Sequence, residues 1–120
     1  MAEKFKLSYS ETTLKQIKKL HPYLKPIVKA KIEYISANPY MGKLLEKELS
    51  GYLSFRAKRY RIIYKVKEDT KTIGIHYIGH RRDIYETFGD QLRKLKERSW
   101  NFLTEKKRGA LEEMGTAINI

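Results

Sequence analysis

Residues 53–85 read LSFRAKRYRIIYKVKEDTKTIGIHYIGHRRDIY, and the fold is decided by how this stretch is divided. Leu53, Phe55 and Ala57 alternate with Ser54, Arg56 and Lys58, which is the period of a strand with one buried face. Tyr60 to Val66 and Thr72 to Ile78 are dense in β-branched and aromatic residues, which pack well on a pleated surface. The connections between these runs are short, and Lys67-Glu68-Asp69-Thr70-Lys71 has the composition of a turn. Three strands joined so closely pair as an antiparallel meander.

Upstream, Phe5, Leu7 and Tyr9 alternate with Lys6 and Ser8, giving one more short strand. Ser8 and Glu11 have capping-box spacing, and Ser10 is an alternative N-cap. Leu14, Ile17 and Leu20 then recur at helical spacing until His21-Pro22 breaks the run. Leu24, Ile27, Val28, Ile32 and Ile35 form the apolar stripe of a second helix, ended by Asn38-Pro39. The two helices form an αα-hairpin whose apolar faces must cover something. Met41 to Leu49 reads as a connector with a helical turn, and Ser50-Gly51 as the turn into the meander.

Downstream, Phe88, Leu92, Leu95, Phe102 and Leu103 return to helical intervals. Lys106-Lys107-Arg108 followed by Gly109 is a helix C-terminal signal, and Trp100 lies off the apolar stripe, available to a partner. The expected fold class is α+β: an N-terminal strand, an αα-hairpin, then a three-stranded antiparallel meander. The sheet has about four strands, with the helices on one face. Residues 1–86 form the body and 87–120 a C-terminal helical extension of the same domain.

At 120 residues the chain has room for one modest core. With no cysteine it has no disulfides, no thiolate metal site and no cysteine nucleophile. Its apolar runs, such as Ile62-Ile63-Tyr64, are far too short to span a bilayer, and the N-terminus lacks an apolar export segment. A cytoplasmic location is expected, with no membrane partner. The charge is the unusual feature: 26 Lys+Arg against 14 Asp+Glu, a net +12. Such a surplus points to a polyanion or an acidic protein as partner.

Residue type refines that reading. All eight arginines lie at or after position 56, and five fall between 56 and 82. Lysine is a generic solubilising charge, whereas arginine offers a planar fork that grips phosphate or carboxylate with two hydrogen bonds. Strand alternation places Leu53, Phe55 and Ala57 toward the core, and Tyr52, Ser54, Arg56 and Lys58 away from it. It also groups Tyr77, Gly79 and Arg81 on one face, and His76, Ile78 and His80 on the other. Arg61 is a candidate for phosphate binding, or for a cross-hairpin pair with Glu68 or Asp69.

The pair of segments Arg59-Tyr60-Arg61-Ile62-Ile63-Tyr64 and Ile78-Gly79-His80-Arg81-Arg82-Asp83-Ile84-Tyr85 resembles the RelE/ParE superfamily of type II toxins, and its RelE-like ribonucleases in particular. The resemblance spans about residues 3–86. It implies a small basic endoribonuclease that cleaves messenger RNA, commonly on the ribosome, by attack of the ribose 2′-hydroxyl on the adjacent phosphodiester. No metal and no cofactor is implied. The implied partners are mRNA, the ribosome and a cognate acidic antitoxin. By the resemblance, Arg61, Arg81 and Tyr85 are the catalytic set, the arginines holding the scissile phosphate and Tyr85 stacking or moving a proton. Arg56, Lys58, Arg59 and Arg82 are the further RNA- and phosphate-binding cations. Some active members carry lysines where this chain has Tyr52 and Ser54, so the general base is unassigned. Lys58, on the same nominal face but near the turn, is one substitute for them, and His80 fits the base role only if a bulge re-aims it. The alternatives are a ParE-like inhibitor of DNA gyrase and a RelE-fold binding module without activity.

Overall fold

The computed structural model describes residues 4–96. Its elements are β1 (Lys6–Tyr9), α1 (Glu11–Lys19), α2 (Leu24–Ala37), β2 (Lys43–Leu44), β3 (Leu53–Ala57), β4 (Tyr60–Lys67) and β5 (Thr72–His80), with a single 3₁₀ turn at Lys47–Leu49. Residues 84–96 are helical. Internal contacts divide the chain into two units, Met1–Tyr85 and Glu86–Ile120, and the sheet lies wholly in the first. The positions expected to end the last helix, and Trp100, fall outside the described residues.

The sheet has the order β1-β5-β4-β3-β2. The meander pairs antiparallel throughout, and β1 joins β5 in parallel. The fifth strand, β2, sits inside the expected connector, with Lys43 and Leu44 opposite Ser54 and Leu53. Two residues are too few for alternation to register, which is why the sequence pattern misses it.

One face is covered by the helices. Val28, Ile32 and Ile35 of α2 are buried against Leu53, Ala57, Ile62, Tyr64, Ile73, Ile75 and Ile78. Each fully buried aliphatic side chain contributes about 1.5–3 kcal/mol. Helix α1 departs from its expected stripe. Leu14 is half exposed, and Thr13 takes the buried position because its hydroxyl donates to the Ile75 carbonyl at 3.0 Å. Ser10, not Ser8, is the N-cap, accepting from the Thr13 amide at 3.0 Å.

These polar groups have a second task. Strand β1 ends opposite Ile75, so beyond it the outer edge of β5 has no strand partner. The N-terminus of α1 supplies what is missing: the Ser10 amide and Thr13 hydroxyl reach the Ile75 carbonyl, and Ser10 Oγ donates to the His76 carbonyl at 2.9 Å. Gln16 Oε1 accepts from the Ile78 amide at 2.8 Å. At the same place the β4–β5 ladder slips, with Ile63 opposite Tyr77 but Tyr64 opposite Ile75. His76 is the extra residue of this bulge. The bulge corrects the expected alternation, because His76 shares a face with Tyr77: its ring meets Tyr52 edge-on at 5.2 Å and lies beside Gly74.

Tyr64 faces the covered side and closes the core. It is fully buried, donates to the Pro39 carbonyl at 2.8 Å and accepts from the Gly42 amide at 3.0 Å. Burial raises its phenol above the usual tyrosine value, and the Gly42 hydrogen bond offsets part of that rise. A Cβ on Gly42 would fall 2.4 Å from the phenol oxygen, so the connector can approach only as glycine.

Candidate functional site

The other face of the sheet carries the arginines. Arg56 and Arg61 are direct partners across β3 and β4, and Arg61 is also opposite Gly79 of β5. Directly opposed residues share a face, and like charges so placed repel. Among the described residues, none of Arg56, Lys58, Arg59, Arg61, Arg81 and Arg82 belongs to an ion pair. Of the two carboxylates considered for Arg61, Glu68 is engaged instead by Lys71 at 2.7 Å and by the Tyr40 hydroxyl, and Asp69 accepts from the Thr70 amide at 2.9 Å. Both contacts hold Glu68 below the usual carboxylate range, that from Lys71 the more strongly.

What Arg61 does touch is neutral. Its guanidinium donates to Ser54 Oγ at 3.1 Å, and the Tyr85 hydroxyl donates to the same oxygen at 3.2 Å. Ser54 is 1% exposed, so two of the three expected catalytic residues converge on one buried hydroxyl. A serine oxygen has two acceptor lone pairs and both are used here. The arginine is thereby oriented without being neutralised. Tyr85 also borders a shallow recess with Lys43, Leu44 and Leu49. Ser54 carries no signal in sequence beyond its place on the face, since a lone serine in a strand is ordinarily a solvated residue.

The remaining cations gather elsewhere. Lys58 and Arg59 are not strand residues but the two-residue loop of the β3–β4 hairpin, because Ala57 pairs directly with Tyr60. This corrects the placement of Lys58 on the strand face. Lys58 has φ 59°, a left-handed conformation that hairpin loops usually give to glycine. The Arg81 amide donates to the Arg59 carbonyl at 2.8 Å, and Arg56 Nε donates back to the Lys58 carbonyl at 3.3 Å. Together Arg56, Lys58, Arg59 and Arg81 rim a cleft of about 480 Å³. Its other walls are Tyr60 and the α1–α2 turn, through His21, Tyr23 and Leu24. Arg81 is thus grouped with the cleft, while Arg61 and Tyr85 are grouped at Ser54. Arg82 lies exposed with its amide on His80 Nδ1 at 3.3 Å, and lines neither.

The histidines separate in the same way. His80 packs edge-on against Tyr60, its ladder partner, and accepts from Arg82, so the bulge does not turn it toward Arg61. His76 is the histidine the bulge brings to the arginine face. Burial lowers its pKa, and the ammonium groups of Lys65 and Lys67 lower it further, so it is neutral at physiological pH.

With this geometry in hand, the chain can be set beside known proteins. Residues 7–85 match the family model described as the ParE toxin of the type II toxin-antitoxin system, parDE. The chain belongs to the RelE/ParE superfamily of type II toxins. It is 31% identical over 83 residues to the toxin RelG of Mycobacterium tuberculosis, a match covering 68% of this chain and 95% of that one. Among solved structures it is similar to a chain of the RelBE2 toxin-antitoxin complex of M. tuberculosis, at 26% identity and a TM-score of 0.59, covering 65% of this chain and 99% of that one. A chain of the intact Escherichia coli RelBE complex matches at 19% identity and a TM-score of 0.55, covering 63% and 95%, and supports the fold alone. The RelE/ParE membership accords with the mixed α+β fold described above. Every residue of the Ser54 cluster and of the cleft falls within the matched span.

Proposed function

We propose that this toxin is a metal-independent endoribonuclease that cleaves mRNA, acts on the ribosome in the cytoplasm, and is held inactive by an acidic antitoxin. The observation that carries the reading is the convergence of Arg61 and Tyr85 on Ser54. An arginine held by a neutral hydroxyl keeps its full charge for a phosphate, and Arg56 opposite adds a second cation. In-line attack by the ribose 2′-hydroxyl builds negative charge on the phosphorane, and fixed cations stabilise that charge more than the ground state. Tyr85 has a phenol within the same cluster, suited to stack on a base or to give a proton to the departing 5′-oxygen. The products are a 2′,3′-cyclic phosphate and a 5′-hydroxyl end, so atoms balance without water or metal.

The antitoxin proposal rests on charge and on kinship. Type II toxins are paired with antitoxins, and the solved relatives include toxin-antitoxin complexes from M. tuberculosis and E. coli. A chain with a net +12, whose face arginines meet no carboxylate among the described residues, suits an acidic binder.

Purified toxin added to a reconstituted translation reaction tests the nuclease reading. The expected result is mRNA fragments ending in 2′,3′-cyclic phosphate, absent with Arg61→Ala. Intact mRNA in an active translation reaction would sink it. A second reading has its own support, since the matching family model is that of ParE toxins and Tyr52 and Ser54 replace lysines found in some active nucleases. In that case the cationic face contacts DNA gyrase, and gyrase inhibition with intact mRNA is the outcome.

A further inference from the structure

The cleft at the hairpin end of the sheet is more than an accumulation of charge. We infer that it is a nucleotide subsite, separate from the Ser54 cluster, that holds one unpaired base and its phosphate. The inference rests on the nuclease reading for its substrate, but the site stands on its own geometry.

The cleft has two chemically distinct parts. Its rim is cationic, made by Arg56, Lys58, Arg59 and Arg81, and none of these is paired with a carboxylate among the described residues. The rest of its lining is aromatic and apolar, made by Tyr23, Tyr60, His21 and Leu24. Tyr23, at the N-cap of helix α2, is 66% exposed and so open to a ligand. Its position is fixed locally, because its amide donates to His21 Nδ1 at 3.1 Å. Tyr60 is fixed by its edge-on contact with His80. A ligand complementary to both parts needs a flat π-face for the wall and an anion for the rim. An unpaired nucleotide has both, and stacking on aromatic rings accepts any base.

Continuity with the Ser54 cluster supports the same occupant. Arg56 belongs to both places, opposite Arg61 on the ladder and on the rim of the cleft. From Arg61 to the Lys58-Arg59 loop is two to three residues of strand, about 7–10 Å. That is the scale of a step from one nucleotide to its neighbour. The left-handed φ of Lys58 presents the loop cations at this end at some cost in backbone strain, as binding loops often do. The α1–α2 turn, outside the two segments that carry the family resemblance, thereby becomes part of the substrate path.

Titration of the full-length protein with adenosine 5′-monophosphate, adenosine and inorganic phosphate, followed by amide NMR shifts, tests the assignment. Adenosine 5′-monophosphate is expected to shift Tyr23, Leu24, Lys58, Arg59, Tyr60 and Arg81, and to bind more tightly than phosphate alone. Tyr23→Ala, at an exposed position where folding is not at stake, should weaken the mononucleotide about fivefold and leave phosphate binding unchanged. Arg61→Ala should leave the cleft shifts in place. Equal affinity for phosphate and mononucleotide, or shifts confined to Ser54 and Arg61, would overturn the inference. So would a cleft silent to mononucleotide but occupied by an acidic peptide. Cleavage assays separate the two proposals: nucleotide binding in the cleft without mRNA cleavage removes the nuclease alone, and cleavage without cleft binding removes the subsite alone.

Discussion

The two faces of one sheet are built on opposite rules. On the helix-covered face the buried polar groups Tyr64 and Thr13 are satisfied inside the protein: Tyr64 bridges Pro39 and Gly42, and Thr13, with Gln16, completes the edge of β5. On the other face Arg56 and Arg61 oppose each other, and neither meets a carboxylate among the described residues. The first arrangement minimises the free energy of the chain by itself. The second leaves like charges opposed, which an anion from outside would relieve. Like charges left opposed in this way are what the proposed RNA interface requires.

This contrast makes different demands on substitutions at the two faces. The largest effect belongs to Arg61→Ala, which should lower mRNA cleavage by about 10²–10³-fold, as loss of one preorganised charge-stabilising donor does. Its melting temperature should hold or rise, because the substitution removes like-charge repulsion with Arg56. A parallel loss of stability and cleavage would erase the distinction between the faces. On the covered face, Gly42→Ala should cost about 2–4 kcal/mol in urea unfolding, since the new methyl displaces the Tyr64 phenol and both its hydrogen bonds. Tyr64→Phe keeps the ring and leaves the Pro39 carbonyl and Gly42 amide unpaired, a loss of about 1–3 kcal/mol.

Smaller effects sharpen the boundary between the two. Lys58→Gly should stabilise the fold by about 1 kcal/mol by relieving the left-handed residue, while weakening binding of single-stranded RNA. Its salt dependence should flatten by about 0.7 log units if one phosphate contact is lost. A destabilised Lys58→Gly protein would show that the loop is not strained. The smallest effect concerns His76. Because its folded pKa lies below the ordinary 6.5, the unfolded chain takes up this proton first as pH falls. The stabilisation is therefore complete above pH 6.5 and is lost as pH drops below it toward the folded value. Thermal melts of His76→Gln from about pH 7 to about pH 5.5 should lose stability less steeply than wild type. Equal slopes would mean that His76 is solvated like a free imidazole.

The same contrast explains what could be read from the sequence. The covered face is written in repeated apolar positions, and the helices, the meander and the inward set Leu53, Phe55 and Ala57 are legible from periodicity. The arginine face was legible as a set of residue types but not as a geometry. Period-two alternation puts His76 on the other face because a bulge in the β4–β5 ladder leaves no trace in the residue pattern. Lys58 was placed on a strand because no local signal shows that the hairpin has only two loop residues. Ser54 is legible only by its place on the face and as a departure from a lysine, since its importance comes from Arg61 and from Tyr85, thirty-one positions along the chain. Tyr23 was invisible as a site residue because the cleft joins segments far apart in sequence.

The central claim, that the cationic face is a ribonuclease site, is tested most directly by primer extension on cellular mRNAs shortly after the toxin is induced. Wild type should produce discrete cuts within translated reading frames, and Arg61→Ala, expressed at the same level and equally folded, should produce none. An unchanged mRNA pattern in the wild type, with gyrase inhibited and growth arrested, would contradict the claim.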